Sequence, residues 1–127
     1  MNFNPAQLSE IDAVDVVNLK GVDADRPGEE MQNAIDAPHV RVANELAQQI
    51  ANFWRALPQG EQSRCHIPPF GLRFYRNGEL QLQASICWEC DNISGEAKGD
   101  SFWYAFDAQH ESSQKLLALC KQAFELH

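Results

Sequence analysis

Apolar and polar residues alternate most regularly in the middle of the chain. Phe70, Leu72 and Phe74 are separated by Gly71 and Arg73, with Tyr75 following; after Asn77-Gly78, Leu80, Leu82, Ala84, Ile86 and Trp88 are separated by Gln81, Gln83, Ser85 and Cys87. A period of two on both sides of a turn dipeptide predicts a β-hairpin with one buried face. A two-residue Asn-Gly turn would set Phe74 against Gln81 and Leu72 against Gln83, mixing apolar with polar on both faces. A three-residue Arg76-Asn77-Gly78 loop sets Phe74 against Leu80, Leu72 against Leu82 and Arg73 against Gln81. A one-residue slip turns every side chain over, so the three-residue loop is the expected one.

Elsewhere the period changes. Ala43, Leu46, Ala47, Ile50, Phe53, Trp54 and Leu57 recur at helical spacing and end at Pro58 and Gly60. This helix starts between Asp36 and Asn44, and His39 to Val42 alternates as the end of a strand would. A second helix runs from about Ser112 to Leu126, burying Leu116, Leu117, Leu119, Cys120, Ala123 and Phe124. Before it, Phe102 to Phe106 reads as a strand with Phe102, Tyr104 and Phe106 on one face, preceded by a polar loop from Ser94 to Asp100. Near the start, Asn4, Pro5 and Gln7 have the chemistry of a helical turn, with an N-cap, a first-turn proline and a residue placed to close a capping box. Ala13 to Leu19 then favours a strand through Val14, Val16 and Val17. Gly21 to Glu30 is a polar loop without periodicity. Together these elements predict an α+β fold: an antiparallel β-sheet with a central hairpin, packed against two helices. Residues 1–127 are expected to form a single domain, since no repeat or long linker divides them.

Composition narrows the function. The chain is 44% hydrophobic with three Trp and seven Phe, enough to build a core. No run approaches the roughly 20 apolar residues of a membrane-spanning helix. The opening MNFNPAQLSEID has neither a basic start nor an apolar stretch, so a cytoplasmic location and no membrane partner are expected. The formal charge is −8 at pH 7. That balance repels phosphate backbones, which argues against nucleic acid, and attracts basic protein partners. Plain solubility accounts for it equally well.

The candidate chemistry lies at one end of the hairpin. The expected register carries Ile67 opposite Cys87 and His66 opposite Trp88, although Pro68-Pro69 interrupts the ladder. Cys65, His66, Cys87 and Cys90 therefore converge, and three readings stand side by side. One is a metal site, with zinc as the cofactor, drawing on Cys65 or His66 together with Cys87 and Cys90. Another is a redox dithiol in Cys87-Trp88-Glu89-Cys90, although this motif ends a strand and is followed by Asp91 rather than opening a helix. The third is structural, with small buried thiols packed at the sheet end. Cys120, on the apolar stripe of the last helix, belongs to the core. No catalytic residue set emerges: His39, His110 and His127 have no evident partners, Ser112 and Ser113 look like helix-start residues, and Glu29-Glu30 reads as solvated surface. The expectation is a non-enzymatic binding module, resembling an immunity or antitoxin-like inhibitor of a basic protein. The alternative is a zinc- or thiol-dependent protein using the four-residue cluster.

The segment from Arg64 to Cys90 resembles a group of small bacterial proteins marked by Cys-His-x-Pro, then Gly-hydrophobic-Arg-Phe, then Ser-Ile-Cys-Trp-x-Cys-x-Asn. Those elements are Cys65, His66, Pro68, Gly71, Arg73 and Phe74, then Ser85 to Cys90 and Asn92. Looser likeness extends to Ala51–Pro58 and Phe106–Ala108. The resemblance implies bacterial origin and one domain, and it implies no particular activity.

Overall fold

A computed structural model describes residues 3–26 and 28–125. Pro27 of the expected polar loop, Leu126 at the expected helix end, and His127 lie outside the described residues. Six antiparallel strands form one sheet: β1 (Ala13–Asn18), β2 (His39–Ala43), β3 (Phe70–Arg76), β4 (Glu79–Cys87), β5 (Asn92–Ala97) and β6 (Asp100–Ala105). Their spatial order is β2-β1-β3-β4-β5-β6. Helices α1 (Asn44–Arg55) and α2 (Glu111–Glu125) pack together on one sheet face. The α+β expectation and both helices are therefore realised.

The N-terminal residues make a short 3-10 turn, Pro5–Gln7, in which the Asn4 side chain accepts the Ala6 N–H at 3.0 Å. Arg55 of α1 donates to the carbonyls of Leu8 and Ser9, and Gln48 donates to that of Ile11, which fastens this segment to the helix. His39–Ala43 is a strand. It turns directly into α1 through Asn44, whose φ of 57° is the left-handed conformation that Asn tolerates better than most residues.

The hairpin register differs from the sequence expectation. Asn77 and Gly78 both take positive φ, 52° and 81°, and Arg76 pairs with Glu79, so the turn has two residues after all. Tyr75 pairs with Leu80 and Phe74 with Leu82, leaving Gln81 as an extra residue. This β-bulge, rather than a longer loop, removes the mismatch that the short turn creates. Leu82, Ala84 and Ile86 keep their expected face, with pairs Phe74–Leu82 and Leu72–Ala84, but Leu80 faces Tyr75 instead of Phe74 and is exposed rather than buried. The expected loop from Ser94 to Asp100 is also corrected, because most of it belongs to β5. That strand turns into β6 at Lys98-Gly99, another pair with positive φ. Gly95 is required there: a Cβ would strike the Gln83 carbonyl of the neighbouring strand.

The register sorts the side chains into two faces. Val14, Val16, Leu72, Phe74, Ala84, Ile86 and Phe102 meet Ile50, Trp54, Leu116 and Cys120 in the main core. Removing a side chain such as Phe74 (0% exposed) from water contributes about 2–3 kcal/mol. The opposite face carries the row Val17, Gly71, Ser85, Ser94 and Trp103. The segment after β1 folds over it, so that Met31 and Ala34 bury against Val17 and Leu19. Gly71 makes room, since a Cβ there would collide with Met31 Sδ.

Candidate functional site

On that second face the segment from Ser63 to Pro69 crosses the end of the sheet without forming a strand. Side chains hold it in place. Asn92, at the start of β5, donates from Nδ2 to the carbonyls of Cys65 (2.6 Å) and Ser63 (3.3 Å). The Ile67 N–H points to Cys87 Sγ at 3.3 Å, and the Cys90 N–H reaches the same sulfur at 3.2 Å. A disulfide joins Cys65 to Cys90 across 5.5 Å between Cα atoms. Cys87 and Cys120 are free and buried.

His66 turns inward beneath Trp103, with 5.2 Å between ring centroids, and its side chain is 0% exposed. Its Nδ1 lies 2.6 Å from Asn92 Oδ1 and its Nε2 lies 2.7 Å from Ser85 Oγ. Because Asn92 Nδ2 is spent on two carbonyls, Oδ1 faces the ring, and Nδ1 must be the donor. Neutral His66 is therefore the Nδ1–H tautomer, with Nε2 accepting from the Ser85 hydroxyl. The Ser85 hydroxyl oxygen also lies 3.3 Å from the Ser94 carbonyl oxygen. Glu30 Oε2 stands 3.8 Å from Nε2, and it also accepts the Gly28 N–H at 2.9 Å.

The sequence expectations need correcting here in several respects. Cys65, His66, Cys87 and Cys90 do meet at one end of the hairpin, but not as a ligand set. Two sulfurs are bonded to each other, and both nitrogens of His66 are engaged elsewhere. Zinc needs free thiolates and an imidazole lone pair aimed at one point, and among the described residues no group of three or more His, Cys, Asp or Glu is placed to hold a metal ion. The Cys87–Cys90 dithiol is not formed either, because Cys90 pairs with Cys65. His66 does not face Trp88, whose indole N–H instead donates to the Ser113 carbonyl in α2 at 2.8 Å. Glu30 is not solvated surface: it is 6% exposed. Its partner lies 36 positions away in sequence, at His66, so no local signal announced it. Ser85 and Asn92 stood within the Ser-Ile-Cys-Trp-x-Cys-x-Asn resemblance, but neither had been given a role.

Asn92, His66 and Ser85 follow the acceptor–imidazole–hydroxyl order of nucleophilic hydrolases. The surroundings oppose that use, because Ser85 is 0% exposed in the middle of a strand. A substrate atom would have to pass the Ser63–Pro69 segment to reach its hydroxyl. The network is suited to holding that segment down. Beside it opens a cleft of about 640 Å³, walled by Ile67, Phe70, Trp88 and Leu117, with Glu30 and His66 inside and Lys20 and Lys121 among its charged residues. No family model, curated protein or solved structure matches this chain.

Proposed function

We propose that residues 1–127 work as one cytoplasmic, non-enzymatic binding domain for a basic protein partner, in the manner of an immunity or antitoxin-like inhibitor. The observation that carries this reading is the distribution of charge. Eighteen acidic residues face ten basic ones, and several of those cations are engaged within the chain. Arg41 pairs with Asp15, Arg76 with Glu10 and Lys115 with Glu111, while Arg55 serves backbone carbonyls. The remaining negative field accelerates encounter with a positive surface and discourages nucleic acid. Ile67, 67% exposed at the cleft wall, offers an apolar anchor of the kind that interfaces bury.

The test is a photo-crosslinking amino acid placed at position 67 in the native cell, with position 35, also an exposed isoleucine, as the comparison. The expected product is one basic protein, joined from position 67, with a yield that falls when the irradiation is carried out in lysate at raised salt. Crosslinks only to acidic or neutral proteins, equal yield from both positions, or no crosslink would overturn the proposal.

A further inference from the structure

Beyond that reading, and independently of it, we infer that Cys65–Cys90 is a reversible thiol-exchange site, with Cys65 the sulfur attacked by a low-molecular-weight thiol of the glutathione class. The two sulfurs differ in access. Cys65 is exposed on the Ser63–Pro69 segment, whereas Cys90 is 1% exposed in the turn between β4 and β5. Thiol–disulfide exchange requires the incoming thiolate to approach one sulfur in line with the bond it breaks, so access decides which sulfur is taken. An incoming thiolate forms a new S–S bond to Cys65. The Cys65–Cys90 bond breaks, and its electron pair leaves on Cys90, which then takes up a proton from solvent. A second thiolate can attack the incoming sulfur of the mixed disulfide, releasing Cys65 as a thiolate and a symmetrical low-molecular-weight disulfide. In total, two thiols are oxidised and one protein disulfide is reduced.

The tethers around the pair make the exchange reversible. When the covalent bond opens, the Cys65 carbonyl remains on Asn92, His66 remains on Asn92 and Ser85, and the Ile67 N–H remains on Cys87 Sγ. The Cys90 thiol is thus held beside the mixed disulfide on Cys65. On returning its proton to solvent it attacks Cys65 at the high effective concentration that favours re-closure, expelling the low-molecular-weight thiolate. Cys87 has the C-x-x-C spacing to compete, but it is 0% exposed, and two N–H groups converge on its sulfur.

The experiment is a titration of the native full-length chain through glutathione buffers of rising reducing strength, quenched with acid, alkylated and mapped by mass spectrometry. The expected intermediate carries one glutathione on Cys65 and a reduced Cys90, with Cys87 and Cys120 unmodified until the chain is denatured. Glutathione on Cys87 or Cys90, a Cys87–Cys90 disulfide, or reduction with no mixed disulfide at any ratio would overturn the inference. A second arm uses Cys90→Ser with oxidised glutathione. Cys65 should be modified roughly tenfold or more faster than Cys87 in the folded chain, and at a similar rate in denaturant. Equal rates in the folded chain would also overturn it. Should Cys90→Ser fail to fold, the wild-type titration alone decides.

Discussion

Asn92 Oδ1 stands 2.6 Å from His66 Nδ1 while Nδ2 of the same amide donates to the Cys65 carbonyl at 2.6 Å, so one side chain sets both an imidazole tautomer and the path of the backbone beside it. In ¹⁵N–¹H correlation spectra, neutral His66 should show a protonated Nδ1 and an unprotonated Nε2. The reverse pattern would mean that the amide is turned over. Replacing Asn92 with Asp sets a carboxylate oxygen against two carbonyls and should destabilise the fold by about 3 kcal/mol in urea titration. A loss below about 1 kcal/mol would show that the amide holds nothing down.

Two glycines, Gly71 on β3 and Gly95 on β5, should respond differently to a methyl group. At Gly95 the added carbon meets the backbone carbonyl of Gln83, which the sheet holds fixed, and Ala84 Cβ at 2.9 Å. At Gly71 it meets Met31 Sδ, the end of a side chain that can swing away. Gly95→Ala should cost about 3 kcal/mol or more and Gly71→Ala about 1 kcal/mol. Equal denaturation midpoints would refute the assignment of these contacts.

Arg41 and Arg76 are both half-exposed arginines, but their partners differ. Arg41 grips Asp15 with two hydrogen bonds, at 2.7 and 3.1 Å, and Asp15 is 5% exposed; the guanidinium also lies 4.5 Å above the Tyr75 ring. Arg76 reaches Glu10 at 3.7 Å in full view of solvent. Arg41→Ala leaves a buried carboxylate unpaired and should cost about 1–2 kcal/mol, whereas Arg76→Ala should stay within about 0.5 kcal/mol. The check is the difference between the two variants at low and high salt. It fails if Arg76→Ala is the more damaging.

Burial pushes the Cys120 thiol from its ordinary 9.0 up to about 12. Between those values the unfolded chain has released this proton and the folded chain has kept it. Stability is therefore fully present below pH 9 and declines as pH rises, by about 1.4 kcal/mol per unit. The Tyr104 phenol, raised by its own burial, adds to the decline at higher pH. Cys120→Ala should remove about 2 kcal/mol of the stability lost between pH of about 8 and about 10.5. An unchanged slope would place the thiol within reach of water.

The legible parts of this fold are those whose face is periodic. Helix α1, helix α2 and the β3–β4 hairpin each bury one side against the main core, and the alternation in the sequence records that. Strand β5 was hidden because Ser94, Gly95 and Glu96 supply no apolar alternation. Ser94 instead faces a polar interior, and Gly95 is there to let a neighbouring strand come close. The candidate site was half legible. Its cysteines and histidine converge as the hairpin requires, but the choice of Cys90 with Cys65 over Cys90 with Cys87 depends on where Ile67 and Asn92 pin the crossing segment. Glu30 could not be placed at all from its neighbours, because what it approaches is brought to it by the fold.

The position of β1 has a consequence for how the chain is made. This strand is synthesised early, at residues 13–18, yet it lies inside the sheet between β2 and β3, and β3 is complete only at Arg76. Val14, Val16 and Val17 therefore leave the ribosome well before the surface that will cover them. The β3–β6 meander is joined by short-range closures, whereas β1, which can pair with β2 once Ala43 is made, meets its other neighbour only after β3 is complete. During that interval a strand destined for the interior of the sheet is an open edge, so the rate of translation through residues 18–76 governs how long the nascent chain is exposed to association with others.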